Sequence, residues 1–124
     1  MPLFRRVKRI KKTFTFDWDD LVKSAASLME GLIYQIHLRV PVTVNNVTAT
    51  LTLEDEDGYE VYTSGAKADD TNHNIYLDPP QIISGNFTVK VTLSGAHGVG
   101  PAPGPQTPDI NIVAVIHLDG MTGV

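Results

Sequence analysis

The chain has 124 residues, no cysteine and a formal charge of −4. That length closes one hydrophobic core without staples. The lack of thiols excludes disulfides and thiolate metal sites, and no apolar run approaches the roughly 18 residues of a membrane helix. Six of the ten basic residues lie in the first twelve positions, where there is no acid, and the other residues carry four bases against fourteen acids. A stretch at +6 therefore precedes a body at −10, an asymmetry that favours docking onto something acidic. No apolar segment of secretory-signal length follows the basic start.

Residues 1–12, MPLFRRVKRIKK, read as a basic N-terminal arm, and residues 13–124 as the folded domain. Leu3, Val7 and Ile10 have helical spacing, but twelve residues are marginal for a free helix and an extended arm fits equally well. A soluble tail is the plain reading. The functional one is a grip on a neighbour through Leu3, Phe4, Arg5, Arg6, Val7, Lys8, Arg9, Ile10, Lys11 and Lys12. Thr13 to Trp18 alternates briefly, as a first strand would. Asp17 to Glu30 is the one candidate helix: Asp17 offers a cap, acids follow in the first turn, and Leu21, Ala25 and Leu28 make an apolar ladder. A decorated loop explains the same residues.

From Leu32 to Val40 apolar residues alternate with Gln35, His37 and Arg39, predicting a long half-buried strand that Pro41 ends. Val47, Ala49, Leu51 and Leu53 alternate with threonines in the next. Asp57-Gly58 is a hairpin dipeptide, because glycine adopts positive φ freely, and Tyr59 to Thr63 leads back. Residues 64–74 read as a polar connection, Ile75 to Leu77 as a short strand stopped by Asp78-Pro79-Pro80, and Ser84-Gly85-Asn86 as a turn. Phe87 to Leu93 alternates again. Ser94 to Asp109 is rich in glycine and proline and can be neither helix nor central strand. So long a connection is often functional, here as a protruding loop that meets a neighbour through His97, Val99, Pro101, Pro103 and Pro105. Ile110 to Leu118 is nearly all apolar, as in a central strand covered on both faces.

The pattern predicts an all-β fold, a two-sheet antiparallel sandwich of immunoglobulin-like or jelly-roll type, with a basic N-terminal arm and at most one short helix. Chemistry is thin. The acidic turn Glu54 to Asp57 lacks the full calcium-loop spacing. His37, His73, His97 and His117 form no ligand pair, and no nucleophile elbow exists. Neither a catalytic residue nor a cofactor is predicted. The arm has charge, but little aromatic stacking and no groove-reading module, so nucleic acid is a poor fit.

Gly31-Leu32-Ile33, Val40-Pro41-Val42 and LTLEDEDGYEVY (51–62) resemble small β-sandwich virion proteins encoded by tailed bacteriophages. DPPQIISGNFTVKVTLSGA (78–96) and Ile110 to Leu118 extend the likeness. The resemblance implies a head-decoration (cement) subunit, or a neck or tail accessory component, without enzymatic activity. It further implies a homo-oligomer, assembled in the host cytoplasm and located in the virion. The partners would be the major capsid protein or neighbouring virion subunits, with no membrane involved. A carbohydrate- or receptor-binding module is the alternative from another class, with Trp18, Tyr59 and Tyr62 as the aromatics that such a site would use.

Overall fold

The computed structural model describes residues 4–122, and the side chains of residues 8–120. Six strands make up its regular structure: β1 (Phe4–Phe16), β2 (Val22–Val40), β3 (Thr48–Glu54), β4 (Glu60–Ala68), β5 (Thr71–Leu93) and β6 (Ile110–Thr122). They form one hydrogen-bonded sheet in the order β1-β6-β2-β5-β3-β4, every pair antiparallel. The fold is all-β.

The two long strands explain the shape. Val22 follows Phe16 after a short turn, and Phe16 pairs with Ile110. Leu32 pairs with Asp119 at the far end of β6, yet Arg39 is back beside Val113. A straight strand of this length would reach roughly 60 Å at about 3.3 Å per residue, so β2 must double back on itself. It does so where its register breaks between Ile33 and Gln35. Opposite the break, β5 inserts Leu77 to Pro80 between Tyr76, partner of Gln35, and Gln81, partner of Ile33. Bulges of this kind bend a strand and sharpen its twist.

The bent β2–β5 ribbon joins two layers. One contains β1, β6, the second half of β2 and the first half of β5. The other contains the first half of β2, the second half of β5, β3 and β4. Counted by halves, eight strands stand in two four-stranded layers, the double-sheet arrangement of a jelly roll. A single buried cluster spans both: Phe14, Phe16, Ile36, Leu38, Ile112 and Ile116 from one layer meet Leu51, Leu53, Val89 and Val91 from the other. Each such side chain contributes about 1.5–3 kcal/mol by leaving water. The Lys12 ammonium also crosses between layers, donating to the Ala26 carbonyl at 3.3 Å.

Four expectations need correction. Asp17 to Glu30 is not a helix, and the loop reading holds only for Asp17 to Leu21: Val22 onward is strand. From Val22 to Glu30 exposed residues alternate with covered ones, ending with exposed Leu28, buried Met29 and exposed Glu30. The helical ladder was incidental, because small and apolar residues here satisfy both periods and pairing with β5 decides between them. Residues 64–74 are mostly strand, with the connection confined to Asp69-Asp70. Residues 75–86 do not stop at Asp78-Pro79-Pro80 and turn at Ser84-Gly85-Asn86 but all belong to β5, with Ser84-Gly85-Asn86 paired to Glu30, Met29 and Leu28. The hairpin at Asp57-Gly58, the end of β2 before Pro41 and the central placement of Ile110 to Leu118 are as predicted, but that strand is not covered on both faces: outward Asn111 is exposed, and Val113 and His117 are half-buried.

Gly31 sits at the fold-back with φ of 132°. A Cβ there would stand 2.9 Å from the Asp119 carbonyl oxygen and 3.1 Å from the Gly120 Cα. The bend brings two backbones together too closely for any side chain.

Candidate interaction surfaces

Residues 4–12 form the first part of β1, paired with β6 from Phe4↔Thr122 to Lys12↔Ala114. β1 is an outermost strand, so its other edge presents unpaired backbone groups. Lysines and arginines on such an edge discourage unwanted strand addition, which is one physical role for this charge. By alternation Ile10, Phe14 and Phe16 face the core, while Arg9, Lys11 and Thr13 face out. Lys8, Arg9 and Lys11 are exposed and Lys12 is half-buried. Leu3 lies outside the described residues, and Phe4, Arg5, Arg6 and Val7 are placed by backbone register alone.

Partners in antiparallel register share a face, and this extends the basic surface beyond β1. Arg9 lies opposite His117, and His117 opposite Gln35. Lys11 lies opposite Val115, Val115 opposite His37, and His37 opposite Asn74. Thr13, Val113, exposed Arg39 and Asn72 form the next row, and Tyr76, 71% exposed, stands beside Gln35. The outward face of this layer thus gathers Arg9, Lys11, Arg39, His37 and His117. Half-buried Asp119 is the one carboxylate that β1, β6 and the second half of β2 place there, among the described residues. Burial, then the Arg9 charge and His37, hold the His117 pKa below its ordinary 6.5. Its ring is tilted against Tyr34 at a centroid distance of 6.1 Å. His37 Nε2 is buried without a hydrogen-bond partner. None of this could be read from composition, since it needs the register of three strands.

The opposite edge is acidic. β3 and β4 end the sheet order at the far side from β1, and their connecting turn carries Asp55, Glu56, Asp57 and nearby Glu60. Asp55 is committed to the turn: its Oδ1 accepts from the Asp57 and Tyr59 amides at 2.9 Å each. Glu54 is paired with Lys90 at 3.0 Å. Glu56, Asp57 and Glu60 remain exposed, beside Tyr59 at 71%. A shallow concavity under the tip is lined by Asp55, Glu56, Asp57, Ser84, Asn86 and Phe87. Among the described residues no group of three or more His, Asp or Glu is arranged to hold a metal ion.

The third surface is the loop end, where residues 17–21, 41–47 and 94–109 meet. The long loop is tied down at its base. Asn45 Nδ2 donates to the Ala96 and Gly98 carbonyls at 2.8 and 3.1 Å. Gln106 donates to Asp17 at 2.6 Å, and the Val99 amide to the Thr107 hydroxyl at 2.8 Å. Gly100 lies against Trp18, where a Cβ would be 3.0 Å from the ring. His97 points inward, fully buried, with Nε2 3.1 Å from the Phe16 carbonyl. Its side chain is therefore an anchor for the loop and is not presented at the surface. Val99, Pro101, Pro103 and Pro105 are exposed, and Leu21, Val42 and Val44 join them from the other loops at 49%, 66% and 62% exposure. Sequence reasoning does not assign these last three to a surface: Leu21 fits a helical ladder, and Val42 and Val44 lie in a separate loop that only the fold brings beside residues 94–109.

β1 runs from Phe4, at the fold-back end, to Phe16, at the loop end. The most basic stretch and the proline-rich tip are thus separate surfaces.

No protein-family model matches the chain, and no curated protein sequence matches it. Solved structures with some similarity include three from infectious bursal disease virus. One, from the Gx strain, has a TM-score of 0.40 at 14% identity over 90% of this chain and 32% of that one. The D431N mutant VP2 protein in derived T=1 particles gives 0.42 at 13% over 94% and 32%. A VP2 subviral particle gives 0.41 at 12% over 94% and 33%. The chain spans about a third of the length of these proteins.

Proposed function

We propose that this chain is a non-enzymatic structural subunit of a virion, a decoration (cement) protein that lies on a capsid shell. The observation that carries the reading is the loop end. Three loops are bonded into a fixed platform that exposes Leu21, Val42, Val44, Val99 and three prolines to solvent. Clustered apolar surface of this kind marks a docking site, and a platform already ordered loses little freedom on binding. The sequence likeness to phage virion proteins, from Gly31 to Leu118, names the setting. A jelly roll alone would not, since one fold hosts many functions.

In this reading the platform meets the major capsid protein, and the basic β1 surface meets a neighbouring subunit. Because these surfaces are separate, one molecule can bridge two others, as a cement protein must. The test is co-sedimentation of the purified chain with undecorated shells. Val44→Asp with Val99→Asp leaves both exposed positions hydrated and the core intact, so the fold should survive and shell binding should drop at least tenfold. Unchanged binding by a folded double variant would refute docking through this end.

A further inference from the structure

We infer that the neighbour met by β1 is a second copy of this chain, whose acidic β3–β4 tip docks on the basic outward face around Arg9 and Lys11. The inference deepens the reading above for the β1 surface only and makes no use of the loop platform. β1 and β4 are the two ends of the sheet order, with their outer edges open. One side presents Arg9, Lys11 and Arg39 with two histidines, against half-buried Asp119. The other presents Glu56, Asp57 and Glu60, with half-buried Lys67 the one cation between residues 55 and 68.

Each surface also carries a tyrosine at 71% exposure, Tyr59 on the acidic tip and Tyr76 in the row of Arg9, three strands across the same face. Exposed tyrosines next to charge complementarity are common anchors of interfaces. Like surfaces repel, so the basic face cannot pair with itself and neither can the tip. Attraction exists only head to tail. A contact between two different patches repeats until it closes into a ring or continues as an open row. Because the patches sit on opposite flanks, every copy in the row can turn its loop platform the same way.

Sedimentation velocity of the purified chain, without any shell, tests this. Oligomers should form at low salt and dissociate near 1 M, where the screening length falls to about 3 Å. Arg9→Glu with Lys11→Glu should yield monomers, as should Asp57→Lys with Glu60→Lys, each checked for folding by circular dichroism. Combining all four reverses both patches and should restore assembly. A wild-type chain that stays monomeric at low salt overturns the inference. So does a folded four-fold variant that stays monomeric, since restored complementarity is its specific demand. A monomer that still binds shells would defeat this inference and leave the docking reading standing.

Discussion

Gly31 and His117 show how single residues carry the bend and the charge of this molecule. At Gly31 a left-handed φ coincides with backbone contact from β6. Gly31→Ala would bring strain of order 1–3 kcal/mol, with a clash added, so the urea midpoint should fall clearly with little change in slope. An unchanged midpoint would mean that the two backbones are not so close. His117 makes stability depend on pH. Its folded pKa is lowered, chiefly by burial, so the unfolded chain takes up the proton first. The contribution is present above about pH 6.5 and is lost as pH falls through that value toward the folded pKa. Thermal stability should therefore drop between pH 7.5 and 6, and His117→Gln should flatten that drop. Arg9 and Lys11 on β1, His37 and Arg39 on β2 and Asp119 on β6 set the field around it. An equally steep profile in the variant would move the effect elsewhere.

Among the elements, β2 separates what was legible from what was not. Its second half alternates cleanly and was readable as strand. Its first half, VKSAASLMEG, is ambiguous, since serines and alanines fit either period and only pairing with β5 selects one. The break at Tyr34 also reverses phase: Met29 and Ile33 are buried before it, Ile36, Leu38 and Val40 after it. No single alternation could therefore run through both halves. A paired substitution checks the strand directly. Leu28 is 66% exposed and Met29 is 1% exposed, so Leu28→Asp should shift stability by about 0.5 kcal/mol or less. Met29→Asp should prevent folding or cost several kcal/mol by burying a carboxylate without a partner. Equal effects would contradict the strand. The Asp78-Pro79-Pro80 signal was visible as a stop, yet its role is to lengthen β5 around the bend opposite Tyr34, which depends on a partner far away in the chain.

For the whole molecule, the all-β class and the contrast between a basic start and an acidic remainder were evident in the residues themselves. The positions of those charges were not. Jelly-roll connectivity places β1 at one flank and the acidic hairpin at the other, and register adds Arg39, His37 and His117 to the face that β1 begins. Carbodiimide cross-linking of a mixture of ordinary and ¹⁵N-labelled chain reads this arrangement most directly, because it joins lysines to carboxylates already in contact. The ion pairs Lys90–Glu54 at 3.0 Å and Lys23–Asp20 at 3.3 Å provide internal controls within each chain. The account predicts mixed-isotope links from Lys11 to Asp57, Glu56 or Glu60, abolished by high salt. Control links without any mixed-isotope link between these two patches would contradict it.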